Sequence, residues 1–307
     1  SEKAPRLVNG MVSLVVPCYN VDRFIAQFLE SLICQTYKHL EIILVNDGST
    51  DGTRGVISQH VGPLRAEGYA VHVVDQENRG LAGAINGGLG LFSGEFLMWP
   101  DPDDWLTPNS IERRVELFRE YPDVGLLRTN CEKFIESTQR FDGHMMPLGS
   151  GVRRVEGLFL DILRRRTFLA PVSSMVRSSC FLDVNPLREI YATRRASQNF
   201  QMLLPLVHAY PVLESNESLA YYRVREDSRS RSATTPTLLL ERHKTIQEVT
   251  RETLRKLKSH DPRVGRLLDT HYDRNVCLPL LFQIGSHQEA KALIAKSNLS
   301  RWHKALA

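Results

Sequence analysis

The chain has 307 residues, 42% hydrophobic and 24% charged, with a formal net charge of +4. This size admits one large or two ordinary domains, and the composition is that of a soluble globular protein, which excludes disordered and fibrous classes. No run of about 18 apolar residues is present, so no membrane-spanning helix is expected. Cys18, Cys34, Cys131, Cys180 and Cys277 are scattered, odd in number and without metal-binding spacing. The opening residues Ser1–Pro5 are polar where a signal peptide would be apolar. Together these features lead us to expect a cytoplasmic protein without a disulfide framework.

In chain order, Val12–Pro17 is a β-branched run stopped by proline and predicts a buried strand. Phe24, Ile25, Phe28, Leu29, Leu32 and Ile33 recur at helical spacing within Asp22–Cys34. Leu40–Val45 predicts a second strand, followed by a helix capped by Thr50 or Asp51 and running to about His60. Ala70–Val74 predicts a third strand, Leu81–Leu91 a small-residue helix despite its glycines, and Phe96–Pro100 a fourth strand. This alternation predicts a mainly parallel sheet with crossover helices. Beyond Asp104, a helix is expected from Thr107–Asn109 to about Tyr121, and a strand over Val124–Asn130. Glu132–Arg154 reads as a loop-rich segment beside a site. Ser197–Tyr210 predicts an amphipathic helix, Ser218–Val224 a strand, Ser228–Pro236 a linker and Leu238–Ala307 a largely helical end.

The chemistry gathers around Asp101-Pro102-Asp103-Asp104, which follow the apolar run Phe96–Trp99. Three carboxylates at the carboxyl end of a buried strand call for positive charge among them, and a divalent cation carrying a phosphorylated ligand meets that need. The plain alternative is an acidic turn, because Asp and Pro are ordinary turn formers. Three loops upstream also follow strands: Pro17-Cys18-Tyr19-Asn20, Asn46-Asp47-Gly48-Ser49-Thr50-Asp51 and Asn78-Arg79-Gly80 through Gly88. In a right-handed doubly wound arrangement all of them project from one sheet edge, which can hold a nucleotide. There Asp47 can accept a hydrogen bond from a base imide, and the small residues around Gly80 let the backbone approach a ribose or phosphate. Gly48 and Gly80 are read as turn residues in any case, Asn86 as a local packing or capping residue, and His60, His72 and His144 as surface or packing histidines. From Gly151 to Arg231 there are thirteen arginines, no lysine and eight acids, with clusters at Arg153-Arg154, Arg164-Arg165-Arg166 and Arg194-Arg195. Guanidinium groups suit phosphate or carboxylate contacts, or form a solvated face. Aromatic–basic interleaving is absent, so nucleic acid is not an expected partner.

Taken together, Val15-Val16-Pro17-Cys18-Tyr19-Asn20, Leu44-Val45-Asn46-Asp47-Gly48-Ser49-Thr50-Asp51, Asn78-Arg79-Gly80-Leu81-Ala82-Gly83-Ala84-Ile85-Asn86 and Asp101-Pro102-Asp103-Asp104 resemble the family-2 nucleotide-sugar glycosyltransferases. The likeness is strong over residues 11–110 and weaker to about 231. It implies an α/β GT-A fold: a Rossmann-like mixed sheet flanked by helices, here with a helical C-terminal extension. It implies an inverting mechanism, a nucleotide-sugar donor that is usually a UDP-sugar, and a glycan or lipid-linked acceptor such as those of bacterial polysaccharide or lipopolysaccharide synthesis. It implies that Pro17, Tyr19, Asn20, Asp47, Asn78 and Gly80 surround the nucleotide. Asp101 and Asp103 match the metal-binding acids, for Mn²⁺ or Mg²⁺, with Asp103 the direct ligand and Asp101 also facing the nucleotide. Asp104 is expected on the sugar or acceptor. On this view residues 1–105 bind the donor and 106–231 complete the metal site and bind the acceptor. Residues 232–307 either dock on the core, the plainer option, or rest on an anionic membrane surface at the inner face.

The chain departs from the family pattern at two places. An inverting transfer needs a base for the acceptor hydroxyl, usually the Asp of a Glu-Asp pair opening a later helix; here Gln198 and Asn199 stand there. Neither amide accepts a proton at neutral pH. A histidine is expected after Tyr222-Arg223-Val224, and Arg225 takes its place. Arginine cannot ligate a metal but pairs with a diphosphate. Three explanations follow: the amides orient the acceptor while another carboxylate, Asp104, is the base; the acceptor is already ionised; or transfer is lost. We prefer the first. The alternative function is a catalytically silent nucleotide-sugar or glycan-binding protein. A nucleotidyltransferase is disfavoured because Pro17-Cys18-Tyr19-Asn20 offers no glycine-rich phosphate loop.

Overall fold

The computed structural model describes residues 6–147, 151–193, 198–226, 235–257, 264 and 273–296. Strands β1 (Val8–Cys18), β2 (Leu40–Asp47), β3 (Ala70–Gln76) and β4 (Gly94–Met98) alternate with helices α1 (Ile25–Ile33), α2 (Thr53–Ala66) and α3 (Gly80–Leu89). β2 is buried along its whole length and β1 along its last eight residues, as a strand covered on both faces must be. β1 pairs in parallel with β2 and β4, and β2 with β3. Their carboxyl ends therefore share one edge, as the alternation predicted.

The second half continues the same sheet in mixed orientation. It comprises β5 (Trp105–Leu106), α4 (Ser110–Glu120), β6 (Leu126–Ile135), β7 (Arg140–His144), β8 (Val152–Val155), α5 (Leu158–Leu163), β9 (Ser174–Arg177), α6 (Ser178–Val184), α7 (Asn199–Ala209) and β10 (Val212–Val224). The strand order is β3-β2-β1-β4-β9-β6-β10-β5, with β7 on β6 and β8 on β10. β9 runs antiparallel between β4 and β6 and joins the two halves into one sheet. The chain then forms α8 (Pro236–Arg255), a π turn at Asp273–Cys277, α9 (Leu278–Gln283) and α10 (His287–Lys296). α8 docks on the core, burying Val249 in the layer that also holds α3 and α7, while Leu240 joins a small cluster with Leu278 and Leu281.

Several elements differ from the sequence expectation. α2 runs past His60 to Ala66, with Pro63 inside it, because Leu64 is fully buried and holds the last turn against the core. Gly52, not Thr50 or Asp51, is the N-cap of that helix, and Asp51 just before it accepts the Thr53 N–H through its Oδ1 at 3.0 Å. Glu132–Arg154 is not simply loop: it carries the end of β6, all of β7 and most of β8, largely exposed strands without apolar alternation. β1 and β10 both begin earlier than their apolar runs suggested. The expected linker lies mostly outside the described residues; at its end Thr235 caps α8, accepting the Leu238 N–H at 3.3 Å.

The glycines of α3 explain how a weak helix former holds this place. A Cβ built on Gly88 would lie 2.4 Å from Val15 Cγ1, 3.3 Å from Val45 Cγ2 and 3.4 Å from Ile43 Cγ2. The bare backbone lets α3 sit directly on β1 and β2. Val15 is buried and stiff at χ1, so it cannot swing aside. We expect Gly88→Ala to destabilise the fold by about 1–3 kcal/mol. At Gly55, also helical but with nothing within 4 Å of a built Cβ, alanine should instead stabilise by up to about 0.5–1 kcal/mol. Urea unfolding of the two variants checks the opposite signs.

Candidate active site

A cleft of about 1130 Å³ opens at the carboxyl edge of the parallel strands, and every site residue expected from the sequence lines it: Pro17, Tyr19, Asn20, Asp47, Asn78, Gly80, Asp101, Asp103, Asp104, Gln198, Asn199 and Arg225. The three strand-end loops form one wall. Tyr19 is 48% exposed, so its ring faces the cleft instead of packing on the sheet edge. Asn20 has a positive φ of 51°, a conformation asparagine tolerates. Its Oδ1 accepts the Thr50 N–H at 2.8 Å, tying the first loop to the second. Asp47 Oδ1 accepts from Gln76 Nε2 at 2.6 Å and from the Arg79 N–H at 2.9 Å, tying the second loop to the third. Gly48, at φ +68°, passes so close that a Cβ would lie 2.8 Å from the Asn78 nitrogen. Asn78 Oδ1 in turn accepts the Gly80 N–H at 3.2 Å. The loops thus brace one another before any ligand arrives.

The acid turn forms the floor, and each carboxylate has a different partner. Asp101 Oδ1 accepts from Gln198 Nε2 at 3.1 Å. Asp103 Oδ2 lies 2.7 Å from the Arg225 guanidinium. Asp104 Oδ1 accepts the Arg223 backbone N–H at 2.9 Å, while its Oδ2 is buried without a hydrogen-bond partner. Asp104 is only 2% exposed; this burial, followed by the charges of Asp103 and Asp101, pushes its carboxyl well above the usual range. Asn199 opens α7; its Nδ2 donates to the Leu169 carbonyl at 3.2 Å and its Oδ1 is buried without a partner.

Other residues turn away from the cleft. Asn86 binds both the N–H and the C=O of Ile190, a packing role. His60 and His144 bond to Val56 and Ser218, His72 lies 3.7 Å from Glu41, and none of the three lines the cleft. Arg153 and Arg154 pair with Glu214 and Asp123, so among the arginine clusters only Arg165 reaches the cleft; Arg194 and Arg195 lie outside the described residues. The sequence reading missed one wall entirely: Leu238, Glu241, Arg242, Thr245, Ile246 and Val249 of α8 also line the cleft. Only the helical spacing of its apolar residues hinted that α8 docks, and nothing local says where.

Among the described residues no group of three His, Cys, Asp or Glu side chains is arranged to hold a metal ion. The donor set still suits Mg²⁺ or Mn²⁺, hard cations commonly held by one or two carboxylates plus substrate phosphates rather than by an all-protein cage. Asp104 Oδ2 is buried without a hydrogen-bond partner, so the acid turn holds an oxygen that the chain itself leaves unsatisfied.

Residues 13–181, more than half of the chain, match the family described as glycosyl transferase family 2. The chain belongs to this family. It is 35% identical over 140 residues to the glycosyltransferase GlyA of Streptococcus pneumoniae, a stretch covering 46% of this chain but only 19% of GlyA. Among solved structures it is similar to Staphylococcus aureus TarS in complex with UDP-GlcNAc, with a TM-score of 0.66, 17% identity and coverage of 89% of this chain and 75% of that one. It is also similar to the mannosyltransferase PcManGT of Pyrobaculum calidifontis in complex with GDP-Man and Mn²⁺, with a TM-score of 0.56, 17% identity and coverage of 96% and 77%. These likenesses establish the GT-A fold. Among the described residues no helix is long and apolar enough to cross a membrane.

The α8 wall of this family-2 chain carries a pH-sensitive contact. His243 Nδ1 meets Arg165 at 2.6 Å. Burial, then the nearby charges of Arg165 and Arg242, pushes the imidazole down to about 4. A histidine held neutral in the fold contributes its stability above its unfolded value near 6.5 and loses it as the pH falls from there toward 4. Wild type should therefore lose more thermal stability than His243→Gln between pH 7 and pH 5, with the two profiles parallel above pH 7. Thermal unfolding across this range checks the difference.

Proposed function

We propose that the protein is a metal-dependent inverting glycosyltransferase that moves a sugar from a nucleotide-sugar, a UDP-sugar in the first instance, to a glycan or lipid-linked acceptor of bacterial surface-polysaccharide synthesis. The observation that carries this reading is the convergence of three strand-end loops, the acid turn and the start of α7 on one cleft. Tyr19 offers an exposed ring to a base, Asp47 keeps a second carboxylate oxygen for a base imide, and the Gly80 turn lets backbone N–H groups approach phosphate. Asp101 and Asp103 would hold Mn²⁺ or Mg²⁺, which supplies the positive charge that stabilises a departing diphosphate.

On the acceptor side, Asn199 is the candidate to orient the attacking hydroxyl, its buried Oδ1 having no hydrogen-bond partner within the chain. Asp104 is the base in this reading, because its Oδ2 is a carboxylate oxygen at the cleft floor with no hydrogen bond to lose. Gln198 orients Asp101 by donating to it. The rival, a silent nucleotide-sugar-binding protein, keeps the donor wall and lacks turnover.

A panel of UDP- and GDP-sugars with Mn²⁺ or Mg²⁺, read by release of nucleoside diphosphate, separates the two. Slow donor hydrolysis, accelerated by a glycan or lipid-linked acceptor, is the expected outcome; tight binding with neither hydrolysis nor transfer across a broad acceptor set would establish the rival. With an active pair in hand, Asp104→Asn should lower turnover by about 100-fold or more with little change in donor affinity. Asn199→Ala should lower it less, and an unchanged rate would remove Asn199 from the reaction.

A further inference from the structure

Arg225 and Asp103 form an ion pair in the cleft that competes directly with metal binding. The Arg225 Nη2 atom is 2.7 Å from Asp103 Oδ2, with both side chains less than one-fifth exposed. The Arg225 guanidinium carbon also lies 4.5 Å from the centre of the Phe24 ring. Arg223, two residues earlier on β10, is committed elsewhere: its side chain binds the Asp103 carbonyl, Glu136 and Gln27. Arg225 is different because its carboxylate partner is one of the two acids that would hold the divalent cation.

A guanidinium and a divalent cation repel each other and seek the same oxygen. A nucleoside diphosphate changes this competition, because its phosphate oxygens match a guanidinium as well as a carboxylate does. The Phe24 face favours a cation over its ring without fixing it to a particular anion. It can therefore support Arg225 beside either partner.

Resting on the transferase reading above, we propose that Arg225 exchanges partners. Without nucleotide it holds Asp103; on nucleotide-sugar binding it moves to the diphosphate and releases the Asp103 carboxylate to the metal. Metal and nucleotide then enhance each other's binding, and the enhancement is reciprocal. Arg225 thus couples the two ligands, a role that a metal-ligating histidine at this position would not have.

Titration calorimetry with Mn²⁺ alone, with UDP or GDP alone in chelator, and with both together tests the exchange. Arg225→Ala should bind Mn²⁺ alone up to about tenfold more tightly than wild type and the nucleoside diphosphate alone about tenfold more weakly, and the mutual enhancement should shrink. Arg225→Lys keeps the charge without the fork and should fall between. If a folded Arg225→Ala binds Mn²⁺ alone no more tightly than wild type, the exchange is wrong; if that variant does not fold, the same comparison with Arg225→Lys decides. Should neither UDP nor GDP bind wild type in the presence of Mn²⁺, the nucleotide-sugar reading and the exchange fall together. Should one of them bind while the variants leave all three affinities unchanged, only the exchange falls.

Discussion

The site depends on a clamp between the end of β10 and the acid turn. Three carboxylates within four residues repel one another, and the turn that carries them must be held from outside. β10 does this from more than a hundred residues away. The Arg223 backbone N–H meets Asp104, its Nε meets the Asp103 carbonyl, and Arg225 meets the Asp103 carboxylate. β5, immediately after the turn, pairs with β10 at Trp105–Tyr221 and Leu106–Ala220. The turn is thus fixed at its acids and at the strand that leaves it. Arg223 is itself nearly buried, which an unpaired cation does not tolerate. Its guanidinium is surrounded by the rings of Phe24, Trp105 and Phe134 at 5.1, 4.8 and 5.4 Å and pairs with Glu136. The mixed half of the sheet is therefore the part that makes the acid turn of the parallel half possible.

The donor wall follows a different rule. Its loops are held by side chains that reach across to a neighbouring loop: Asn20 to Thr50, Asp47 to Arg79. Gly48 permits the approach that brings the second and third loops together. Such bracing fixes the position of backbone groups in advance, and that lowers the ordering cost of binding a ligand. Asn20 and Asp47 therefore line the cleft while their side chains hold the neighbouring loop.

The parallel half was legible because its signals are local. Val12–Pro17 and Leu40–Val45 are buried on both faces and so appear as apolar runs, interrupted only by Ser13 and Glu41, which bond each other, and the residues that end them are the site loops themselves. The acid turn could be placed for the same reason, whereas Gln198 and Asn199 were singled out only by the family resemblance. The mixed half was less legible. β7 is almost wholly exposed, β8 has four residues and β5 only two, and each exists by pairing with a distant strand rather than by its own pattern. Arg153 and Arg154 looked like anion binders in sequence, yet Glu214 and Asp123 claim them through contacts no local spacing encodes. The α8 wall is the extreme case: its amphipathic spacing predicts a docked helix, and only the tertiary fold decides that it docks beside the cleft.

The departures from the family pattern fit together once the contacts are known. Gln198 donates to Asp101; an ionised glutamate there could not donate and would add a fourth carboxylate to the turn. Asn199 likewise removes a negative charge, and Arg225 adds a positive one where a histidine would be mostly neutral at pH 7. All three changes move the formal charge of the cleft in the same direction. Each also changes what the position can do. The amides orient neighbours and accept no proton, and the guanidinium neutralises a carboxylate that it cannot replace as a metal ligand. A cleft altered this way carries fewer ionisable acids and one more fixed cation than the family pattern would give it. The same positions that lack the family's two acids therefore make the cleft less negative, and a less negative cleft repels an anion less.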